Sequence, residues 1–387
     1  MNNEDFIDYY PGKLVKIPEG IFAFIPNPLP PKIDFTTQSL VSLISDANLA
    51  LGELKGIGRN LPNPYLLIGP LSFREAIVSS KLEGTIATAK EVVLFNAQPK
   101  VVGKEDVREV RNYVLAMNSG LDKLKDIPVS KRLFKELHKE LLQGVRGQES
   151  SPGSFRQHQN HIGAKGESPK FARYVPPPAN EMENCLNDLE KYINSNLNFP
   201  KLIELAIIHY QFEAIHPFMD GNGRIGRLLI IMLLCHWELL PQPLLYMSGY
   251  FERNKESYKD LLLKISQKSA WIEWIEFFLV GVIEQSRDAI MRSEDLLNLQ
   301  SNYRQRIQSP RSTILTLKLA DYLFKTPYLT TKIAAEFLEV TNKTAQSHIE
   351  KLVDLKILYE ATGETRGRVY LAHDILEIIE KDYFIQR

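Results

Sequence analysis

The sequence predicts a mainly α-helical protein, and three observations carry that prediction. Apolar residues recur at helical spacing through much of the chain from Thr37 onward. One stretch, Leu228 to Cys235, is apolar on every side and has to be a central, buried helix. After about Ser309 the pattern changes to two short helices, joined by a turn and followed by two short strands.

Residues 1–35 carry Pro26, Pro28, Pro30 and Pro31 and read as an extended arm. Helical periodicity begins near Thr37 with Leu40, Leu43, Ile44, Ala47 and Leu51, and Asn60 to Pro70 reads as a proline-rich break. A second helix is expected over Ser72–Leu82, ended by Gly84, with further helices over Lys104–Leu124 and Ser130–Leu142. Residues 145–180 are rich in Gly, Pro, Gln and Asn and end in Tyr174-Val175-Pro-Pro-Pro, which predicts a long exposed loop or hairpin. Two helices follow, Pro200–Ile215, stopped by Pro217, and Gly223–Leu240. Others are expected over Tyr258–Ser266 and from Ala270 through the 280s. Thr330–Leu338, the turn Glu339–Thr341 and Asn342–Leu355, with strands in Leu358–Ala372 around Gly363–Gly367, predict a winged helix. The expected division is an N-terminal segment 1–115, a core 116–295 and a C-terminal domain 296–387.

Composition narrows the function classes. The 47 basic and 47 acidic residues cancel, so no global field draws the chain to nucleic acid or an anionic membrane. Two cysteines, Cys185 and Cys235, form no disulfide framework, and the acidic N-terminus shows no secretory signal. The longest apolar run is far below the roughly 20 residues that span a bilayer. A cytoplasmic protein without a membrane partner is expected.

The chemistry concentrates in His216-Pro-Phe-Met-Asp-Gly-Asn-Gly-Arg-Ile-Gly-Arg227, between the two central helices. Gly221, Asn222 and Gly223 allow a tight turn that exposes N–H groups at a helix N-terminus, a phosphate-binding nest. Arg224 and Arg227 sit three residues apart on the first turns of that helix and project toward one anion. Asp220, just before the nest, is suited to hold Mg²⁺ (or Mn²⁺) against a polyphosphate. His216 titrates near neutrality when unperturbed and can accept a proton. Phe218 has no polar role and is expected to anchor the loop in the core. Each feature alone is common; a base, a metal ligand, an anion nest and two aligned arginines within twelve residues are not. Gln157, His158, Asn160 and His161 lack a ligand spacing and predict no metal site.

This string resembles the signature of Fic-domain proteins: His, any, Phe, any, acidic, Gly-Asn-Gly-Arg, two residues, Arg. Every defined position is present. The resemblance implies a Fic-type helical core with a β-hairpin flap, and transfer of AMP from ATP to a Ser, Thr or Tyr hydroxyl of a target protein. By position, His216 deprotonates the hydroxyl, Asp220 ligates Mg²⁺, and Asn222 with the Gly221–Gly223 backbone holds the α-phosphate region. Arg224 contacts the β-phosphate and Arg227 the γ-phosphate. Relatives that phosphorylate instead carry lysine where this chain has Gly223, which favours AMP transfer. Ser79-Ser-Lys-Leu-Glu83-Gly84 resembles the family's inhibitory motif, implying that Glu83 pairs with Arg227 and excludes the γ-phosphate. In some relatives the same glutamate assists AMP removal, so a reversing activity is a further expectation. Pro152–Arg156 and Ala172–Pro178 match the flap, which aligns the target protein by strand addition along 152–178. Tyr250–Asn254 with Ser257-Tyr258 resembles the stretch lining the adenine pocket, with Tyr258 as a nucleotide contact.

Residues 310–387 carry 11 basic and 11 acidic side chains. With that balance a protein-contact or homodimer role is favoured over DNA binding, although Lys343, Gln346, Arg366 and Arg368 would form a small patch. Two rivals stand beside AMP transfer. One is a nucleotide-sensing, DNA-binding transcription regulator, which salt-dependent duplex binding without AMP incorporation would favour. The other is transfer of another phosphate-linked group, such as UMP or phosphocholine, which nucleotide competition would reveal.

Overall fold

The computed structural model describes residues 3–6, 11–18, 20–34, 37–60, 63–98, 105–147, 149, 151–163, 168–195, 199–308, 314–364 and 367–384. The N-terminal arm is not simply extended. β1 (Gly12–Lys16) and β2 (Phe22–Pro26) form an antiparallel hairpin with Leu14 opposite Phe24. The prolines that suggested an arm lie at the end of β2 and beyond it, and the apolar run Phe22-Ala23-Phe24-Ile25 was the overlooked strand signal.

α1 (Gln38–Asn60) packs along the long helix described below. α2 (Tyr65–Leu82) starts a full two turns earlier than the sequence predicts. It begins right after Pro64 and carries Pro70 inside it, past the first turn, so the helix forgoes one i→i−4 bond there. α3 (Ala89–Ala97), unpredicted, opens on a capping box: Thr88 accepts from the Glu91 amide while Glu91 accepts from the Thr88 amide. α4 (Glu105–Lys123) and α5 (Lys131–Leu141) fall where expected, the latter capped by Ser130. α6 (Ala179–Ile193), also unpredicted, buries Met182, Leu186 and Leu189 on one face.

The two central helices are α7 (Lys201–Ile215) and α8 (Asn222–His236). Leu228 to Leu234 are all buried, which fits the all-round apolar pattern. α9 (Ser248–Arg253) and α10 (Lys255–Lys268) lead into α11 (Trp271–Ile307), an unbroken helix of 37 residues. The expected boundaries at 115/116 and 295/296 therefore fall inside α4 and α11.

The C-terminal unit contains α12 (Ile314–Tyr322), β3 (Tyr328–Thr330), α13 (Thr331–Leu338), α14 (Asn342–Asp354), β4 (Tyr359–Glu360), β5 (Val369–Leu371) and α15 (His373–Glu380). Thr330 and Thr341 cap α13 and α14, and Glu339 makes the left-handed turn between them. The strands form one antiparallel sheet in the order β3-β5-β4. Arg366 lies outside the described residues. The unit is fastened to the core: Arg292, fully buried on α11, pairs with Asp288 and donates to the Ile378 and Lys381 carbonyls. Glu380 also accepts from the Ala89 amide at the start of α3. Among the described residues no helix is long and apolar enough to cross a membrane.

Candidate active site

The loop between α7 and α8 is built by its own side chains. His216 ends α7 in the left-handed region (φ 49°), and Gly221 opens α8 at φ 79°, a conformation that favours glycine. The Asn222 carboxamide turns inward, accepting from the Phe218 amide and donating to the Phe218 carbonyl, each at 2.8 Å. Its side chain therefore braces the loop, and what Asn222 presents to an anion is backbone. Phe218 is completely buried, as an anchor should be.

Two further residues hold the loop from below, and sequence reasoning missed both. His138 stacks on Phe218 with ring centroids 3.8 Å apart. Its Nδ1 accepts from the Gly153 amide at 2.9 Å, so Nε2 carries the proton and donates to the Asp220 carbonyl at 3.0 Å. Burial pulls this imidazole down to about 4, which keeps that tautomer through physiological pH. Arg156 is buried and donates from Nε to the His216 carbonyl at 2.9 Å and from Nη2 to the Pro177 carbonyl. The only sequence signal for either is its nearness to the flap. Substituting His138→Phe keeps the ring stack and removes both hydrogen bonds, leaving the partly buried Gly153 amide and Asp220 carbonyl without this partner. A loss of about 2–4 kcal/mol in denaturant-induced unfolding is expected, and a variant as stable as wild type would show that the two bonds contribute nothing.

His216 is half-buried, and its Nδ1 faces the Glu213 carbonyl at 3.3 Å. A carbonyl only accepts, so Nδ1 holds the proton and Nε2 keeps a free lone pair. Burial first, then the Arg156 charge, lowers this imidazole to about 4, so it is neutral at physiological pH.

The two arginines of the loop take separate partners. Arg224 is buried, with Glu109 at 3.4 Å and Asp220 at 3.6 Å, and its Nε has no hydrogen-bond partner. Arg227 reaches α2: Nε donates to Ser79 Oγ at 2.8 Å, Nη2 to the Ser79 carbonyl at 2.9 Å, and Nη2 also to Glu83 Oε1 at 2.8 Å. Glu83 is aimed by the way α2 ends. Gly84 adopts φ 91°, its amide bonds to the Lys81 carbonyl, and the Thr85 amide bonds to the Ser80 carbonyl, a Schellman closure that leaves Glu83 at the cap. Burial pushes the Glu83 carboxyl up, but Arg227 outweighs it and holds it below the usual carboxylate range. Glu83 Oε1 lies over Gly223, 2.3 Å from where a Cβ would stand. Any side chain at 223 would displace the carboxylate.

Glu83, His216, Gly223, Arg227 and Tyr258 line one cavity of about 190 Å³, whose other wall is Ile162, Tyr174, Leu262 and Leu263. Ser79 stands behind Arg227, and Gly221, Asn222 and Arg224 form the adjoining helix start. Asp220 is half-exposed and not among the residues lining the cavity, its Oδ1 accepting from the Gly221 amide at 2.6 Å. Tyr258 borders the cavity, but its hydroxyl meets His209 Nε2 at 2.9 Å. His209 Nδ1 faces the Gly226 carbonyl at 3.2 Å and must be protonated, so the tyrosine donates to Nε2. The flap shows one antiparallel bridge, Ile162 with Tyr174; residues 164–167 lie outside the described residues. Its return strand is already taken, because the Phe24 amide of β2 donates to the Val175 carbonyl at 2.9 Å.

A neutral imidazole and a glutamate paired with the second arginine thus share one pocket beside the start of α8, and the sequence matches agree with that geometry. Residues 41–122 match the Fic/DOC family N-terminal region and residues 128–234 match the Fic/DOC family itself. The chain belongs to the Fic/DOC family. This Fic protein is 24% identical over 266 residues to a probable protein adenylyltransferase of Aquifex aeolicus, covering 65% of this chain and 78% of that one. It is 31% identical over 170 residues to the protein adenylyltransferase Fic of Drosophila yakuba, covering 42% of this chain and 32% of the fly protein. The chain thus spans about a third of the length of such insect relatives. In fold it is similar to a Fic family protein from Desulfovibrio desulfuricans, with a TM-score of 0.57 at 19% identity, covering 89% of this chain and 98% of that one. A Fic domain containing signaling protein from Bacteroides thetaiotaomicron gives a TM-score of 0.51 at 18% identity, covering 65% and 97%.

Proposed function

We propose that this Fic protein is an autoinhibited protein adenylyltransferase, moving AMP from ATP to a Ser, Thr or Tyr hydroxyl of a target protein and of itself. One observation carries the reading: Glu83 occupies Arg227 at 2.8 Å in the cavity that His216 also lines. The names of its relatives, protein adenylyltransferases, supply the reaction class.

The chemistry follows from the groups present. With Nδ1 committed to the Glu213 carbonyl, His216 Nε2 takes the proton of the target hydroxyl. The hydroxyl oxygen bonds to the α-phosphorus of ATP, the bond from that phosphorus to the oxygen bridging to the β-phosphate breaks, and pyrophosphate leaves. The first N–H groups of α8, which no helical carbonyl satisfies, meet the phosphates with the positive end of the helix dipole. Arg224, with its unpartnered buried Nε, and Arg227 neutralise the charge that develops. Asp220 offers Mg²⁺ (or Mn²⁺) a hard oxygen ligand beside the nest, which fits an ion held by one or two carboxylates plus substrate phosphates. Such an ion would supply charge neutralisation on the polyphosphate. Tyr258 and the wall of Leu262 and Leu263 give the adenosine an apolar seat.

The target protein adds as a strand to the flap. Because β2 covers Val175, the free edge is on the Ile162 side, where His161 and Gly163 turn their main chain away from Tyr174. We read the C-terminal unit as a winged helix that contacts protein, a second copy of this chain included, rather than DNA, since its charges cancel. The unbridged Cys185 and Cys235 support a cytoplasmic setting.

Mass spectrometry after incubation with ATP and Mg²⁺ tests the proposal. Glu83→Gly protein should acquire AMP adducts, and Glu83→Gly/His216→Ala should lose them, with a rate drop of about 10²–10⁴ from the missing base. Equal adduct levels in both proteins would remove His216 from the mechanism.

A further inference from the structure

Glu213 shares the cavity yet takes no part in the reaction above. It stands on α7 one turn before His216, and its side chain lines the pocket with Glu83, Gly223, Arg227 and Tyr258. Oε1 is buried and has no hydrogen-bond partner. It is pressed against Gly226, 2.1 Å from where a Cβ would stand, so only glycine at 226 lets the carboxyl sit there. Arg227 lines the same cavity, but its hydrogen bonds go to Ser79 and Glu83, so its charge opposes the burial of Glu213 without bonding to it.

We propose that Glu213 binds the nucleotide as a neutral carboxylic acid, donating its O–H to an oxygen of the bound nucleoside triphosphate. This rests on the reading of the cavity as a nucleotide site. The physical reason is the carboxyl's position. An ionised group here would be a buried, unpaired anion within the field of Glu83, and of the terminal phosphate that replaces Glu83 on Arg227. A protonated group carries a donor, and with the protein side closed by Gly226 that donor faces the pocket. Burial, with Glu83 adding to it and Arg227 opposing, raises the carboxyl to about 8.

The groups facing it are Glu83 from α2, Arg173 and Tyr174 from the flap, His209, Tyr210 and His216 from α7, Arg227 from α8, and Tyr258 and Lys259 from α10. Burial lowers both imidazoles, to about 3 and about 4, and raises Tyr258 well above its ordinary range. None of these three changes charge as Glu213 loses its proton. Lys259 is common to every variant below.

The test is direct binding of α,β-methylene-ATP, which cannot release pyrophosphate, to Glu83→Gly protein and to its Glu213→Gln and Glu213→Val derivatives between pH 6.5 and 9.5. At pH 7 the Gln derivative, a neutral donor of the same shape, should bind within about threefold of its parent, and Val about tenfold more weakly. The parent should lose affinity as pH rises from 6.5 to 9.5, the sign expected when the proton is needed for binding, while Gln stays flat; without the Glu83 charge the midpoint falls below the about 8 of the wild-type carboxyl. Repeating the series with the 2′-deoxy and 3′-deoxy analogues locates the acceptor: a Gln–Val gap that closes assigns a ribose oxygen, and one that persists assigns a phosphate oxygen. Equal affinity of Val and the parent at pH 7, or a shared pH profile for Glu and Gln, overturns the inference. No binding by the Glu83→Gly parent at any pH would instead overturn the nucleotide reading, and this inference with it.

Discussion

Replacing Glu83 with glycine is expected to raise the initial rate of AMP incorporation by about 10- to 100-fold, the equivalent of one charge-assisted hydrogen bond of about 1.5–3 kcal/mol. Glu83 fills the space above Gly223 and takes one bonding direction of Arg227, which in the proposed reading together seat the outer phosphates. Its removal should not loosen the guanidinium, because Ser79 still accepts from Nε and Nη2. That division of labour separates two residues of one motif. Glu83→Gly should activate, whereas Ser79→Ala should weaken the grip on Arg227 without clearing the phosphate seat. Glu83→Gln, which keeps an acceptor and loses the charge, should fall between wild type and glycine. Labelled-AMP incorporation by purified proteins measures all three, and a Glu83→Gly rate no higher than wild type would refute the brake.

Arg156→Met should be the most damaging single change outside the nest, costing about 3–5 kcal/mol of stability. Among the described residues the guanidinium is the donor that joins the carbonyls of His216 and Pro177, which belong to the loop between α7 and α8 and to the hairpin over 152–178. Burial lowers Arg156 to about 10, still far above physiological pH, so the clamp stays charged. Methionine matches the length of the stem but leaves buried carbonyls unsatisfied, and it removes the restraint on the left-handed backbone at His216. Chemical denaturation and the kcat of the Glu83→Gly protein should therefore both fall. If Arg156→Met unfolds at the same denaturant concentration as its parent, the clamp has no energetic weight.

The parts legible beforehand share one property: they are local. The nest at Gly221–Gly223, the stop at Pro217 and the glycine cap at Gly84 are each set by dihedral preferences within a few residues, and all lie where the sequence puts them. The buried faces of α4, α5 and α8 follow from periodicity in the same way. Local rules failed where neighbours in space decided. The N-terminal strands pair with each other and dock on Val175, and α2 runs through Pro70 because packing outweighs the break that proline usually makes. α11 continues past the expected boundary, where Leu296, Tyr303 and Ile307 are buried and Tyr303 meets Phe324 and Asp374 of the C-terminal unit.

The chain's own order of residues thus determined the reactive loop, the helical class and the presence of a glutamate four residues after Ser79. Only the folded chain decided that this glutamate meets Arg227, that His138 and Arg156 carry the loop, and that Glu213 sits without a partner. The reason is range. Backbone torsions act between adjacent residues, whereas charge pairing, burial and hydrogen-bond closure depend on what distant segments bring to the same few ångströms, here across 144 residues between Glu83 and Arg227.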